Sequence, residues 1–347
     1  MFSKLVIGFT LLGAAISNPT PPFVLPTFPT NVPCLTSSGS HSSTTSMSQA
    51  TPSMIPDIPP TPSTTSSSSQ TPTPTPHCPD PNDYTNDISI LNFALTLEHL
   101  EAAFYNEGMA KYNRQNFTDA GFDNSSYDYF TIITSHENTH AKVLTGVINS
   151  LNGTAVPPCN YSFGIDSVSK FVSIARVLEN TGVRAYTGAI ANITHGDLQT
   201  AGATIATVEG RHASYLNLLN KKVPFPTSFD TPADGRTIVS LAGSFITSCP
   251  YDLGFKAFPV LVSSPESGKA GDNLTVSSTK ASITDSDFCA FVYSSSQSNV
   301  AVSNGTCVVP DGVIGDVLVF IVDKNSTLGL GSDDHVIAGP TFFSVDL

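Results

Sequence analysis

The sequence predicts a mainly α protein: a four-helix bundle with a short extra helix, followed by a small C-terminal β-sandwich and preceded by a disordered stalk. Three observations predict this order. Residues 83–250 place apolar side chains at helical spacing, and residues 255–347 contain short runs rich in Val, Phe and Thr that are separated by turn residues. Residues 18–82 are dominated by Pro, Ser and Thr, a composition that cannot bury a core.

The helical segment contains four long amphipathic helices. We expect them over residues 87–111, 127–151, 166–192 and 197–220, with a further helix over residues 232–245. Short loops join the first helix to the second and the third to the fourth, as in antiparallel neighbours. The longer stretch 152–165 is predicted to cross between the two hairpins.

Glutamate and histidine residues recur within the apolar stripes of these helices. A Glu and a His three positions apart on a helix lie about one turn apart, so both can reach one point. Two such Glu-x-x-His motifs alternate with two single glutamates, which is how a four-helix bundle holds a di-metal carboxylate centre. The predicted metal ligands are Glu98, Glu137, His140, Glu179, Glu209 and His212.

The predicted ligands belong to an internal repeat. Four residues of the second helix recur 72 positions later in the fourth: they are Ile133, Glu137, His140 and Leu144, and their counterparts are Ile205, Glu209, His212 and Leu216. The glutamates of the first and third helices are each followed, seven residues later, by a tyrosine. We therefore expect two related hairpins that face each other, with Tyr105 and Tyr186 as hydrogen-bond donors to the carboxylates.

Glu101 is an additional candidate ligand, because it also lies on the buried side of the first helix. The repeat places Gly182 at the equivalent position of the third helix, which favours Glu98 over Glu101. His99 and His195 are expected to face solvent.

The ligand set suits two divalent metal ions. Carboxylate oxygens and imidazole nitrogens bind iron, manganese or zinc, and iron and manganese are the preferred pair here. Four buried glutamates would repel one another without metal, whereas two divalent cations would nearly neutralise their charge.

A competing motif overlaps this site. His136, Glu137 and His140 form a literal His-Glu-x-x-His, the zinc protease signature, in which both histidines bind zinc and Glu137 is the general base. Glu179 could then be the third ligand. The repeat argues against this interpretation, because the position equivalent to His136 is Val208.

Several features indicate secretion. Residues 1–17 combine Lys4, an apolar stretch and a small-residue cleavage site, as a signal peptide does. The stalk is expected to carry O-linked sugars. Eight Asn-x-Ser/Thr sequences are predicted N-glycosylation sites: Asn116, Asn124, Asn152, Asn160, Asn192, Asn273, Asn304 and Asn325.

The six cysteines are an even number, as expected in an oxidising compartment, and none forms a Cys-x-x-Cys pair. We expect one disulfide between Cys159 and Cys249 at the end of the bundle and another between Cys289 and Cys307 in the β region. Cys34 and Cys78 are left to pair with each other or with another chain. The formal net charge of −13 argues against a nucleic-acid partner, and no stretch after the leader qualifies as a transmembrane helix.

Four segments around the predicted ligands resemble the ferritin-like domain of secreted fungal stress-response and plant desiccation-related proteins. They are Leu97-Glu-His-Leu-Glu-Ala-Ala-Phe-Tyr105, Ser135-His-Glu-Asn-Thr-His140, Leu178-Glu179 and Val208-Glu-Gly-Arg-His212. The resemblance covers about residues 84–250 and implies a ferritin-like bundle with a di-iron-type centre at the residues already named. It does not imply one reaction, because members of the broader superfamily store iron, oxidise it, reduce peroxides or hydroxylate substrates.

The predicted function is therefore that of a secreted, stalked glycoprotein with a di-metal centre, active on peroxide or on the metal itself, or protective under stress. The cell wall or the extracellular space is the expected location, and cell-wall polysaccharide is a candidate partner. One alternative is a non-catalytic wall or stress protein that keeps the bundle without metal, and the other is the zinc protease.

Overall fold

The computed structural model describes residues 83–325, 327–328 and 335–345. The predicted signal peptide and stalk, with Cys34 and Cys78, lie outside these residues. The helices are α1 Thr85–Lys111, α2 Arg114–Asp119, α3 Asn124–Ser150, α4 Val168–Ala189, α5 Gly196–Leu219 and α6 Gly235–Ala242. The strands are β1 Asn160–Tyr161, β2 Ile246–Ser248, β3 Val262–Ser264, β4 Ser267–Gly268, β5 Asn273–Ser277, β6 Phe288–Tyr293, β7 Ser296–Ala301, β8 Thr306–Val308, β9 Gly315–Val322 and β10 Val336–Val345.

Helices α1 and α3 form one antiparallel hairpin, and α4 and α5 form the other. Tyr105, late in α1, packs against Phe130, early in α3, with ring centroids 6.0 Å apart. Leu91, early in α1, shares a core cluster with Ile148, late in α3. Contacts between α1 and α4 join the hairpins, so the predicted four-helix bundle is confirmed.

The four long helices begin and end within three residues of the predicted bounds. Ser167 caps α4 as its sequence suggested, since its hydroxyl accepts the backbone N–H of Lys170. The short helix α2 was not predicted. It begins with a reciprocal cap in which the side chains of Asn113 and Asn116 each accept the other residue's backbone N–H.

The crossover between the hairpins is held at its far end. Strand β1 pairs antiparallel with β2, which follows α6. Next to this pairing, Cys159 and Cys249 form the predicted disulfide, which joins residues 90 positions apart. A closed loop of this length typically contributes about 2–4 kcal/mol to stability.

The C-terminal region is a β-sandwich, as predicted. A five-stranded sheet has the order β4-β10-β9-β6-β7, and a three-stranded sheet has the order β3-β5-β8. Their facing residues share one core cluster, in which Leu274 of β5 meets Phe291 of β6 and Ile321 of β9. The predicted disulfide between Cys289 and Cys307 connects β6 to β8 and thus ties one sheet to the other.

A partly buried ion pair joins the bundle to the sandwich. The guanidinium of Arg176 on α4 pairs with Asp316 on β9 and also donates to the hydroxyl of Ser344 on β10, 2.7 Å away. About two helical turns further along α4, Arg184 packs its guanidinium on the ring of Phe342, 5.2 Å from the centroid. The buried position of Arg184 was not predicted from the sequence.

The expectation that His99 and His195 face solvent was wrong. The ring of His99 is half-buried and its Nε2 lies 3.1 Å from the carbonyl of Val156. His195 stacks on Tyr84 and its Nδ1 lies 2.6 Å from the buried carboxylate of Asp87, which also accepts two backbone N–H groups before α5. These contacts hold the connection between α4 and α5 against the start of α1.

All eight asparagines predicted to carry N-linked sugars are exposed. Their exposure is compatible with sugar attachment at these positions. In the part of the chain that the structure describes, no helix has both the length and the apolar character needed to span a bilayer.

Candidate metal centre

Six side chains converge in the middle of the bundle from its four long helices. Glu98 comes from α1, Glu137 and His140 from α3, Glu179 from α4, and Glu209 and His212 from α5. The four glutamates are fully buried, and His140 and His212 are 9% and 6% exposed. Each predicted ligand therefore lies inside the protein, where an isolated carboxylate is costly unless a cation or a donor compensates its charge.

The six side chains form two overlapping groups. Glu98, Glu137, His140 and Glu209 bring one ligand atom each within 4.8 Å of the others. Glu137, Glu179, Glu209 and His212 do the same. Glu137 and Glu209 belong to both groups, so each could bridge two ions, with one histidine and one further glutamate at either end.

Each histidine presents its Nδ1 to this carboxylate cluster. Nδ1 of His140 lies 3.0 Å from Glu137, 3.3 Å from Glu98 and 3.3 Å from Glu209. Nδ1 of His212 lies 3.1 Å from Glu137 and 3.1 Å from Glu179. A single proton on each nitrogen cannot satisfy all of these oxygens.

Four buried carboxylate oxygens consequently make no hydrogen bond of good geometry among the described residues, although three of them lie 3.1–3.3 Å from a histidine Nδ1. They are Glu98 Oε2, Glu137 Oε1, Glu209 Oε1 and Glu209 Oε2. Unpaired acceptors at this depth destabilise the protein unless a cation binds them. The donor set of four carboxylates and two imidazoles thus fits a pair of divalent ions by chemistry and by position.

The pKa values in the cluster reflect the same crowding. Burial raises the pKa of Glu98 to about 7, although His140 partly offsets this. Burial also raises the pKa of Glu209, and the charges of Glu137 and Glu179 add to the effect. Glu137 differs, because hydrogen bonds from both histidines outweigh burial and lower its pKa to about 2. The pKa shifts of these carboxylates thus follow their positions, downward for Glu137, which lies between the two histidines, and upward for Glu98 and Glu209.

Both histidines favour the charged form when no metal is bound. Burial alone would lower their pKa values, but the surrounding carboxylates outweigh it. The pKa of His212 rises to about 9, and that of His140 rises further. A metal ion would replace the proton on each Nδ1, as metal binding requires neutral imidazole.

Two tyrosines support the carboxylates, as predicted. The hydroxyl of Tyr105 on α1 donates to Glu179 on α4, at 2.6 Å. The hydroxyl of Tyr186 on α4 donates to Glu98 on α1. Such outer hydrogen bonds orient ligands and tune their basicity.

Glu101 is buried beside the cluster but belongs to neither convergent group. A Cβ at Gly182 would lie 2.5 Å from Glu209 Oε2 and 3.1 Å from Glu101 Oε1, so only glycine fits between these carboxylates. Burial, with the nearby charge of Glu209, raises the pKa of Glu101 well above its ordinary value. Glu101 thus remains an additional candidate rather than a member of the central six.

His136 lies outside the cluster and contacts it through another histidine. Its Nδ1 is 3.0 Å from Nε2 of His212, and the two rings stack with centroids 5.2 Å apart. Neither convergent group among the described residues includes His136. The arrangement therefore gives no support to a zinc site built from His136 and His140. The contact between His136 and His212 was not predicted from the sequence. The repeat gave no reason to expect it, because the residue equivalent to His136 on α5 is Val208.

Residues 86–222 match the family model of the ferritin-like domain. Protein rds1 of Schizosaccharomyces pombe is 28% identical over 181 residues, which cover 50% of this chain and 44% of that protein. The chain thus spans under half the length of this curated relative.

Two solved structures are also similar. A ferritin-like diiron-carboxylate protein of Bacillus anthracis is 23% identical, with a TM-score of 0.33, over 38% of this chain and 93% of that one. A conserved hypothetical protein of Mycobacterium tuberculosis is 16% identical, with a TM-score of 0.34, over 42% of this chain and 97% of that one.

Proposed function

We propose that the bundle binds two divalent metal ions, iron or manganese in preference to zinc, and that the loaded centre carries out redox chemistry on peroxide or on the metal itself. The observation that carries the proposal is the set of four buried glutamates and two histidines, in which the two Nδ1 atoms cannot satisfy all of the buried carboxylate oxygens. In this assignment one ion would be held by Glu98 and His140, and the other by Glu179 and His212. Both ions would be held by the two shared glutamates, Glu137 and Glu209. A bound metal pair supplies two-electron redox capacity, enough to reduce one peroxide to two waters.

The protein's own side chains would orient and insulate such a centre. Tyr105 and Tyr186 donate to Glu179 and Glu98, and so fix one oxygen of each carboxylate. His136 can accept the Nε2 proton of His212, which leaves Nδ1 of His212 free to face the cluster. Buried apolar side chains above and below the six residues exclude water and strengthen every electrostatic interaction there.

We place this activity outside the cell as part of the same proposal. Two disulfides, eight exposed glycosylation sequences and the predicted leader at residues 1–17 support secretion. The full protein would then be a glycoprotein of the wall or the medium with a role in stress protection. Peptide sequencing of protein recovered from the medium tests this, since it should begin after residue 17 and carry sugars on the named asparagines.

Elemental analysis of the purified full-length protein tests the metal proposal. We expect about two iron or manganese ions per chain, and peroxide consumption that disappears when His212 is replaced by alanine. Metal-free protein that cannot be loaded, with no peroxide consumption, would favour the non-catalytic alternative. One zinc ion per chain with proteolytic activity would favour the protease.

A further inference from the structure

An apolar chamber lies directly beside one end of the candidate metal centre. It has a volume of about 240 Å³ and is enclosed by α1, α3, α4 and α5. His140 and Tyr186 form part of its wall, whereas His212 and Glu179 do not. The chamber therefore belongs to the His140 end of the centre alone.

The internal repeat shows how the chamber arises. At the offset of 72 positions that relates α3 to α5, Phe130 corresponds to Gly202. Phe130 is fully buried, 6.0 Å from the ring of Tyr105, and fills the bundle at the His212 end. Gly202 lies beside Tyr186, the counterpart of Tyr105, and a Cβ there would be 4.0 Å from the Tyr186 ring. The chamber is thus the space that a phenylalanine occupies in the other half of the repeat.

The wall of the chamber is predominantly apolar. Aliphatic side chains make up most of it, and its hydroxyl groups are already engaged. Thr139 and Thr204 donate to backbone carbonyls of their own helices, at 2.7 Å in both cases, and Tyr186 donates to Glu98. A buried water needs two to four polar partners, whereas a cavity of about 150 Å³ lined by aliphatic and aromatic side chains stays dry and binds benzene. Benzene has six carbon atoms, so in proportion to volume a chamber of about 240 Å³ accommodates about ten.

A larger cleft adjoins the chamber. It has a volume of about 730 Å³ and shares four wall residues with the chamber: Ile90, Phe93, Ala185 and Ala189. The rest of this cleft is lined by apolar side chains such as Val156, Leu253 and Phe255, together with polar residues that include Asn86, Asn92 and Asp252. The wall therefore changes from apolar beside His140 to mixed polar and apolar in the adjoining cleft.

We infer that the chamber binds a hydrocarbon chain with its apolar end beside His140 and its polar head group in the adjoining cleft. The wall would recognise about ten carbons by their lack of hydrogen-bonding groups, and the cleft would keep the head group hydrated. Binding of the chain requires no metal. Only the conclusion that the chain lies next to a metal ion rests on the proposed function.

Calorimetric titration of the full-length, metal-free protein with 1-decanol tests the binding site. We expect saturable binding of one decanol per chain, and binding of 1,10-decanediol at least tenfold weaker because its second hydroxyl would be buried without a partner. Replacing Gly202 by phenylalanine should restore the aromatic side chain of the repeat and weaken decanol binding at least tenfold. Gly202→Ala, which adds one methyl group at ordinary contact distance, should weaken it less.

Gly146→Phe is the matched control, since Gly146 is exposed on α3 with open space around it. Its decanol affinity should equal that of the unmodified protein. The inference is overturned if decanol does not bind saturably, if the diol binds as tightly, or if a folded Gly202→Phe or Gly202→Ala variant binds decanol unchanged. Co-sedimentation of the protein with phosphatidylcholine vesicles would identify a membrane lipid as the source of the chain. If the protein does not co-sediment, the source is a free amphiphile.

Protein loaded with manganese(II) tests the orientation. The paramagnetic ion should broaden the NMR signal of the decanol methyl group more than that of the carbon bearing the hydroxyl. Stronger broadening of the hydroxyl end would contradict the inference. If elemental analysis finds no manganese, the proposed metal centre fails, while the calorimetric result still decides whether the chamber binds a chain.

Discussion

Tyr105 on α1 donates a hydrogen bond of 2.6 Å to Glu179 on α4. In the opposite direction, Tyr186 on α4 donates to Glu98 on α1. Each tyrosine thus supports the glutamate of the other hairpin rather than the one seven residues before it in its own helix. Burial, with the neighbouring carboxylates, raises both tyrosine pKa values, so both hydroxyls remain protonated donors.

Replacing Tyr105 by phenylalanine should lower metal affinity by about tenfold to a hundredfold, because Glu179 loses the donor that orients it. Competition with a chromophoric chelator measures the change. Tyr215→Phe is the control, since the Tyr215 hydroxyl lies 3.2 Å from Ser126, outside the cluster. Equal affinities for the two variants would mean that the exchanged hydrogen bonds do not tune the centre.

Glu137→Ala should abolish binding of both ions, whereas Glu98→Ala should leave about one ion per chain. The difference follows from position, because Glu137 belongs to both convergent groups and Glu98 to one. Metal content per chain after dialysis is the measurement, and Glu107→Ala on the exposed side of α1 is the control. Retention of two ions by Glu137→Ala would rule out its bridging role.

His136→Ala should keep both ions and weaken binding about tenfold, because His136 orients His212 through its Nε2 and holds no ion itself. His140→Ala and His212→Ala should each lose one ion. Metal content and chelator competition on the three variants check this. Complete metal loss in His136→Ala, with none in His212→Ala, would instead indicate the zinc protease.

Removal of metal should lower the melting temperature of the bundle. A ligand present at a hundred times its dissociation constant stabilises the folded state by about 2.7 kcal/mol per site, and chelation removes this contribution. Scanning calorimetry with and without chelator measures it. Identical melting curves for protein verified as metal-loaded beforehand would contradict the account.

A lower pH should stabilise the metal-free protein and destabilise the metal-loaded protein. In the metal-free protein the pKa of Glu98 is about 7, above its ordinary value of 4.5, so its contribution is complete below pH 4.5 and is lost as pH rises toward 7. The raised pKa of His212 acts in the same direction, and its contribution is lost as pH rises through about 9. Metal-free protein should therefore melt higher at pH 5 than at pH 7.5, and metal-loaded protein lower, because protons compete with the ions.

Much of the bundle and the convergence of the six candidate ligands could be predicted because the evidence is local and repeated. The spacing of Glu137 and His140 recurs in Glu209 and His212, and every predicted ligand lies within an apolar stripe. Helical periodicity converts such a pattern directly into a shared buried face. The two disulfides were predictable because each joins cysteines of the same region, Cys159 and Cys249 flanking the end of the bundle and Cys289 and Cys307 lying in the β region.

Other features depend on packing between elements distant in sequence. The stacking of His136 on His212 joins α3 to α5, and the burial of Arg184 results from contact with the sandwich. The chamber beside Gly202 forms only because α1, α3 and α4 pack around the position on α5 where glycine has no side chain. Helix α2 is too short for periodicity to reveal, and its cap is visible only once Asn113 and Asn116 are placed.

Anomalous diffraction from crystals of the metal-loaded protein tests the central claim most directly. Data collected at the absorption edge of the bound metal should show two peaks in each chain. One should lie among Glu98, Glu137, His140 and Glu209, and the other among Glu137, Glu179, Glu209 and His212. A single peak between His136 and His140, or no peak within the bundle of protein with measured metal content, would contradict the di-metal assignment.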